Sequence, residues 1–275
     1  WSGPNSFTSA VQNPTIGGIT LAGAGTYSAT VTVLGCTSPP GTINIVVNNT
    51  PTITTLTSNS PICAGQTLSL TANAGGGASY SWSGPNSFTS TTQNPTIVGT
   101  TTLASGVYSV NATALGCVSA TGTINVVVNP IPASPTPGSN SPICTGQTLS
   151  LTASSVAGAT YNWSGPNSFT STTQNPTIPG VSVLNAGTYS ISATLAGCTS
   201  PVTTLSVTIN NPPIAPTATA NVPVCIGGNL NLGASTIAGA TYNWIGPNSF
   251  TSSVQNPTIT GVTLPATGIY SVNAN

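Results

Sequence analysis

The stretch WSGPNSFTSTTQNPTI, Trp82–Ile97, occurs a second time without change at Trp163–Ile178. Close variants begin at Trp1 and Trp244, so successive copies lie 81 residues apart. The cysteines and the tyrosines of the G-x-Y steps keep the same period. A fixed period without insertions is typical of a tandem array, and 81 residues are enough for a small domain with its own core.

Proline-rich stretches occur once per period, at Asn48–Pro51, Asn129–Pro137 and Asn210–Pro216. Because proline favours extended and stiff connections, we predict domain boundaries there. Since the array starts and stops inside a unit, we expect the chain to be a window on a longer protein. We call the four predicted segments the first to fourth repeats: residues 1–48 (the C-terminal part of a domain), 49–129 and 130–211 (complete domains) and 212–275 (the N-terminal part of a domain).

The composition is free of charge, with no Lys, Arg, Asp, Glu or His in 275 residues, although about a quarter of an ordinary soluble chain is charged. No basic patch is available for nucleic acid or anionic lipid, and no apolar run approaches the length of a membrane span. Acid–base catalysis needs a side chain that titrates near working pH, and a serine nucleophile needs a base. We therefore predict that this chain is not an enzyme and takes no cofactor. A neutral polar surface also favours self-association.

Apolar residues alternate with polar ones throughout each repeat. In the second repeat the pattern is clear in QTLSLTA, SYSWS, VYSVNATA and TINVVV. Alternation with period two predicts strands with one buried face. About seven short strands per repeat, separated by Gly, Pro and Asn, predict an all-β sandwich, with Trp82 and Trp163 in the core.

The order of these features resembles an immunoglobulin-type domain: an early Cys, a core Trp on the third strand, and a G-x-Y step opening the sixth. The steps that end at Tyr108 and Tyr189 resemble the tyrosine corner. Two residues after each Tyr, where such domains place a core Cys, this chain has Val110 or Ile191. The usual inter-sheet disulfide is therefore not expected.

The fuller pattern is S-P-I-C-x-G-Q-T-L, Y-x-W-S-G-P, G-x-Y-S-x and then L-G-C or A-G-C. It is similar to the tandem Ig-like or PKD-like repeats of large secreted Bacteroidetes surface proteins, including gliding-motility-type adhesins. That resemblance implies export by the type IX system, a cell-surface or fibre location, and an adhesive or structural role.

The residues of the repeated stretch suit a structural role. Gly84–Ser87 has turn chemistry, and we predict Pro85 at the second and Asn86 at the third position of the turn. Phe88 would then cap the core edge or stand exposed. The alternative is a contact loop, either between subunits or for a glycan, with Phe88 stacking and Asn86, Thr89 and Gln93 hydrogen bonding. The corresponding contact residues of the next copy are Asn167 and Phe169.

Six cysteines in two periodic sets predict an oxidising, extracytoplasmic setting. Pairing within a repeat would give Cys63–Cys117 and Cys144–Cys198, and it is the leading prediction. If the fold is immunoglobulin-like, these partners lie at opposite ends of the sandwich. A bridge across a joint, of the type Cys63–Cys198, is then an alternative. A third option pairs neighbours in sequence: Cys36–Cys63, Cys117–Cys144 and Cys198–Cys225.

These features predict a rod or filament of stacked immunoglobulin-like domains that forms a cell-surface stalk or extracellular fibre. The expected partners are neighbouring repeats or further copies of the chain. The alternative is a multivalent module that binds glycan or a solid surface through the GPNSF loops.

Overall fold

The computed structural model describes residues 1–275. The protein is all-β, and its helices are four single 3₁₀ turns of three residues each. None of these helices has the length and apolar character of a membrane-spanning segment. The chain forms two compact units. The first consists of Trp1–Ser134, Val156–Ala159 and Ala193–Pro201, and the second of Pro135–Ser155, Thr160–Ser192 and Val202–Asn275.

The strands follow the predicted alternation. In the first repeat they are β1 (Ser2–Gly3), β2 (Phe7–Thr8), β3 (Gly25–Ala29), β4 (Thr32–Val33), β5 (Cys36–Thr37) and β6 (Gly41–Ile45). In the second repeat they are β7 (Thr55–Ser58), β8 (Ile62–Cys63), β9 (Leu68–Asn73), β10 (Ser79–Gly84), β11 (Phe88–Ser90), β12 (Thr96–Ile97), β13 (Gly106–Ala114), β14 (Cys117–Val118), β15 (Gly122–Val126) and β16 (Val128–Asn129).

In the third repeat they are β17 (Pro137–Ser139), β18 (Ile143–Cys144), β19 (Leu149–Ala153), β20 (Thr160–Gly165), β21 (Phe169–Ser171), β22 (Thr177–Ile178), β23 (Gly187–Leu195), β24 (Cys198–Thr199), β25 (Thr203–Val207) and β26 (Ile209–Asn210). In the fourth repeat they are β27 (Ala218–Ala220), β28 (Leu230–Ala234), β29 (Tyr242–Gly246), β30 (Phe250–Ser252), β31 (Thr258–Ile259) and β32 (Ser271–Ala274). The 3₁₀ turns are Leu21–Gly23, Thr102–Ala104, Val183–Asn185 and Leu264–Ala266.

The second repeat, within the first unit, shows the full topology. One sheet has the antiparallel order β12-β9-β7, and the other has the order β11-β10-β13, with the β14 and β15 strands also on β13. After β7 the chain turns at the cis Ser60–Pro61 bond, and β8 then pairs in parallel with β16. The first strand is therefore divided into two parts: β7 pairs with β9 in one sheet, and β8 pairs separately with β16. This is an immunoglobulin-like β-sandwich, and the same strand pairings recur in the third repeat, so the protein consists of tandem immunoglobulin-like domains.

The core of the second repeat lies between these sheets. Leu68 and Leu70 from β9 meet Trp82 from β10 and Tyr108 and Val110 from β13, and each is at most 1% exposed. Val110 fills the position where a core Cys would otherwise stand. Truncating a buried Trp to Ala typically costs about 3–5 kcal/mol, so Trp82 is a main contributor to the stability of this repeat.

Candidate functional site

The GPNSF segment is a tight hairpin turn between β10 and β11. Asn86 and Ser87 have φ values of 53° and 58°, and the Phe88 N–H donates to the Pro85 carbonyl oxygen at 3.1 Å. The prediction that Pro85 occupies the second position and Asn86 the third is wrong by one residue. Positive φ at both central positions is a feature of type I′ turns, whose twist matches that of the flanking strands. Pro85 therefore stands first, before the residues that need positive φ.

The base of the turn packs on the tyrosine of the G-x-Y step. A Cβ atom at Gly84 would overlap the Tyr108 ring, and one at Gly106 would lie 2.9 Å from Pro85 Cγ. The half-buried Phe88 ring meets Tyr108 edge-on, with centroids 5.5 Å apart. The Tyr108 hydroxyl donates to the Ala104 carbonyl oxygen at 3.0 Å. Burial raises the pKa of this phenol.

The same ring pair occurs in every copy, and the tyrosine hydroxyl always donates to the carbonyl four residues earlier. The pairs are Phe7–Tyr27, Phe88–Tyr108, Phe169–Tyr189 and Phe250–Tyr270. The hydroxyl bonds are Tyr27 to Gly23, Tyr108 to Ala104, Tyr189 to Asn185 and Tyr270 to Ala266. Burial also raises the pKa of Tyr189.

The second half of the stretch, QNP, ties the two sheets together. Gln93 Nε2 donates to the Ala72 carbonyl at 2.9 Å, and Asn94 Oδ1 accepts from the Ala72 N–H at 3.1 Å. Trp82 Nε1 donates to the Gln93 carbonyl at 3.3 Å. Ala72 belongs to β9 and Trp82 to β10, so these bonds link opposite sheets. The side-chain amides of Gln93 and Asn94 therefore hold this segment against β9, where only Thr96 and Ile97 pair as a strand.

These contacts divide the predicted contact residues into two groups. Phe88 and Phe169 are half-buried against tyrosine rings, and the Gln93 amide is held by the backbone. Asn86 and Asn167 stand exposed at the tips of their turns. A ligand would therefore meet the Asn side chains and the neighbouring hydroxyls, but not a free aromatic face.

The structure forms one disulfide, between Cys63 and Cys198, with the Cα atoms 5.6 Å apart, a separation within the usual range. Cys36, Cys117, Cys144 and Cys225 are free thiols. The leading prediction of Cys63–Cys117 and Cys144–Cys198 is therefore wrong, and so is the pairing of neighbours in sequence. The bridge is of the joint type that stood as the alternative.

Strand geometry explains why pairing within the repeat fails. Cys63 ends β8 opposite Asn129, near the end of the sandwich where β13 begins. Cys117 follows the turn at the other end of β13, which is nine residues long. Nine residues of strand span roughly 30 Å, far beyond the reach of a disulfide.

The disulfide is part of a larger contact within the first unit. The β23–β24 hairpin has its turn at Ala196–Gly197, directly before Cys198. Asn129, the cross-strand neighbour of Cys63, donates from Nδ2 to the Ala196 carbonyl at 3.0 Å. The hairpin tip is thus held by a hydrogen bond from Asn129 on β16 and by a covalent bond from Cys63 on the adjacent strand β8.

The same contact occurs one period earlier in the first unit. Asn48 Nδ2 donates to the Leu115 carbonyl at 3.1 Å, at the turn of the β13–β14 hairpin. The Cys117 thiol lies 3.7 Å from the Asn48 carbonyl oxygen, as Cys198 Sγ lies 4.0 Å from that of Asn129. Sequence reasoning missed both asparagines. The available signal was their own 81-residue spacing after the last Val-rich strand.

Two cavities occupy space that strands fill in the second repeat. One, of about 430 Å³, is lined by Leu232, Trp244 and Tyr270, and the matching space of the second repeat holds Val126 and Val128. The other, of about 420 Å³, is lined by Trp1, Phe7, Ile16, Tyr27 and Ile43. Its counterpart holds Leu68 and Leu70. Both cavities are therefore lined by side chains of the kind that form the core of the second repeat.

No family model matches this chain, and no curated protein matches it. Solved structures resemble it at low identity. The N-terminal eight Ig domains of Down Syndrome Cell Adhesion Molecule are 15% identical, with a TM-score of 0.44, over 92% of this chain and 39% of that one. Sidekick-1 immunoglobulin domains 1–5 are 17% identical, with a TM-score of 0.37, over 93% and 64%. Three domains of the bacteriophage RB49 outer capsid protein Hoc are 15% identical, with a TM-score of 0.31, over 81% and 86%. These similarities concern the fold alone.

Proposed function

We propose that this chain is a structural repeat region of an extracellular or cell-surface protein, in which tandem immunoglobulin-like domains form a stalk or filament. Its boundaries follow the predicted repeats, with complete domains at 49–129 and 130–211. In this proposal the chain supplies length and stiffness, and it performs no chemistry of its own.

The observation that carries the proposal is the recurrence of one joint. Asn48 and Asn129 hold successive hairpin tips in the same way, and Cys63–Cys198 closes one of these joints covalently. When successive domains are joined by the same contact, the spacing between them is the same at each joint. Such a chain is suited to hold its two ends at a fixed distance. A disulfide of this kind also favours an oxidising compartment.

Self-association is the proposed mode of assembly. The surface carries no charged side chain, so side-chain charge supplies no long-range repulsion between copies. The exposed tips at Asn86 and Asn167 recur at the repeat spacing, and amide side chains can donate and accept across a contact. We place the contact between neighbouring copies at these tips.

The finer assignment comes from the resemblance of the repeats to those of large secreted Bacteroidetes surface proteins. It adds three elements to the proposal: membership of a large adhesin, export by the type IX system, and PKD-like relatives. The SPIC, YxWSGP and GxYS segments support it, and the charge-free composition is the feature in which this chain differs.

A multivalent module for glycan or a solid surface is the second candidate. The exposed Asn86 and Thr89 favour it, because they recur with each copy and amides and hydroxyls bind sugar hydroxyls. The half-buried Phe88 and the occupied Gln93 disfavour it, because they remove the stacking ring and one amide.

The test compares two exposed asparagines of the second repeat, Asn86 in the turn and Asn125 on β15. Asn86→Asp keeps a residue that tolerates positive φ and adds one charge at the tip. Asn125→Asp adds the same charge on the outer face of a strand. Assembly of each variant is followed by light scattering and negative-stain microscopy, beside a glycan array screen.

The proposal expects N86D to assemble much less than the unchanged chain and N125D to assemble normally, with no glycan bound. Equal assembly of N86D and N125D contradicts the placing of the contact at the tips. Glycan binding that N86D abolishes and N125D preserves supports the second candidate instead.

A further inference from the structure

One pairing rule accounts for all six cysteines. Cys63 lies on β8 of the second repeat, and Cys198 follows the β23–β24 turn of the third repeat, 135 residues later. Cys144 and Cys225 are the periodic equivalents of Cys63, while Cys36 and Cys117 are the equivalents of Cys198. A partner 135 residues away would lie before residue 1 for Cys36 and Cys117, and after residue 275 for Cys144 and Cys225. These four are the free thiols.

The neighbourhood of Cys117 already matches that of the bridged cysteine. Its hairpin tip accepts a hydrogen bond from Asn48 at 3.1 Å, as the tip before Cys198 accepts one from Asn129 at 3.0 Å. In the bridged joint the residue opposite the asparagine on the adjacent strand is Cys63. A thiol at the equivalent strand position beside Asn48 would therefore face Cys117 with the same geometry.

We propose that Cys36, Cys117, Cys144 and Cys225 are half-sites of this bridge. In an array that continues with the same period, each repeat would be bonded through its β8-type cysteine to the hairpin cysteine of the next repeat. The inference concerns the covalent structure of the array, and it holds for a stalk and for a multivalent binder alike.

Each bridge needs an oxidant, and the proposal names a disulfide donor, such as an oxidised thiol–disulfide oxidoreductase or oxidised glutathione. One cysteine thiolate attacks a donor sulfur and releases the donor's first thiolate. The second cysteine thiolate attacks the protein sulfur of this mixed disulfide and releases the second. Two thiols lose two protons and two electrons, and the donor disulfide is reduced.

Staggered bridges would change how the array bears tension. A pull can pass from Cys63 through the bridge to Cys198, and then along about 27 residues to Cys225, where the next bridge begins. Fully extended, 27 residues span roughly 90 Å, whereas two unfolded repeats would span roughly 550 Å. The bridges would therefore cap the extension of the array, whether or not its domains unfold.

The test counts free thiols in two chains. The first is the 275-residue chain, and the second has one extra copy of residues 49–129 inserted after Asn129, which adds two cysteines. Both are refolded in a glutathione redox buffer at low micromolar concentration and alkylated with N-ethylmaleimide after denaturation. The monomer is then weighed, and the bridged peptides are mapped.

The proposed rule adds one bridge for each added repeat, so both chains should carry four alkylated thiols. In the longer chain, replacing the cysteine that corresponds to Cys198 with serine should raise the count of alkylated thiols to five, because its partner becomes free. The control, Cys36→Ser, removes a thiol that forms no bridge and should lower the count to three. Six alkylated thiols in the longer chain would overturn the proposal, because the added repeat would then form no bridge. Two or none in both chains would also overturn it, because they correspond to pairing within repeats or between neighbours in sequence.

Discussion

The ring of Tyr108 lies against the backbone of Gly84, so closely that a Cβ atom at position 84 would overlap it. The same relationship joins Tyr27 to Gly3, Tyr189 to Gly165 and Tyr270 to Gly246. The glycine of W-x-G-P and the tyrosine of G-x-Y are therefore one structural pair, although they are far apart in sequence. This pairing explains why both recur in every copy.

Gly84→Ala should destabilise the second repeat by about 1–3 kcal/mol, because the added methyl group would displace the buried Tyr108 ring. Hydrogen–deuterium exchange of β10 and β13 peptides would measure the loss within that repeat. Gly76→Ala is the control, since a Cβ there has no atom within 4 Å. Equal protection in the two variants would show that the contact contributes little.

The side-chain amides of the QNP segment should contribute more to the free energy of unfolding than is usual for exposed side chains. Asn94→Ala removes the acceptor of the Ala72 N–H, and a lost hydrogen bond to a part-buried group costs about 1–2 kcal/mol. Thr91→Ala, at an exposed position in the same segment, should be close to neutral. Urea denaturation measures the free energy of unfolding of the two variants, and hydrogen–deuterium exchange measures the protection of β9. Unchanged protection of β9 in N94A would contradict this role.

Stability should be nearly independent of pH between about 3 and 8, and of salt concentration. No Asp, Glu or His is present, so no side-chain carboxylate or imidazole pKa can differ between the folded and unfolded states. Thermal denaturation by circular dichroism across this range would measure it. A steep acid transition would contradict the prediction.

Alkaline pH should destabilise the protein. Burial raises the pKa of Tyr108 and Tyr189 in the folded state, so above about pH 10 the unfolded chain releases these protons more readily. The contribution of these two phenols to the free energy of unfolding is complete below about pH 10. It is lost as the pH rises through their raised pKa values in the folded state. Tyr108→Phe with Tyr189→Phe should reduce the alkaline slope, although it removes two hydrogen bonds. An unchanged slope would assign the transition to other groups.

The Cys63–Cys198 bridge should limit the length that the chain releases under force. With the bridge intact, the 135 residues between these cysteines cannot extend, which withholds roughly 450 Å of contour length. Pulling with optical tweezers from the two termini, before and after reduction, measures this length. Cys63→Ser with Cys198→Ser should match the reduced chain, and Cys144→Ser with Cys225→Ser should match the oxidised one. No difference on reduction would mean that the bridge carries no load.

Local patterns predicted the strands, because period-two alternation determines which face of a strand is buried. Trp82 and Tyr108 lie in the core for that reason. The turn was misplaced by one residue, because proline chemistry favoured the second position while the twist of the hairpin required positive φ at Asn86 and Ser87. In that case tertiary geometry prevailed over local preference.

The cysteine pairing could not be deduced from spacing. An 81-residue period is compatible with pairing inside a repeat, across a joint or between neighbours in sequence. The choice depends on where Cys63 and Cys117 lie in the folded repeat. The parallel pairing of β8 with β16 places Cys63 at the end of the sandwich where β13 begins, and Cys117 lies beyond the other end of β13. The roles of Asn48 and Asn129 were hidden for the same reason, since their partners lie in the next repeat.

Electron microscopy of the native assembly at side-chain resolution is the most direct test of the structural role. We expect a filament or stalk in which each joint repeats the Asn129–Ala196 contact and the Cys63–Cys198 bridge, with the Asn86 and Asn167 tips buried between copies. Isolated chains with every tip exposed along one side, and with joints that vary in geometry, would contradict it.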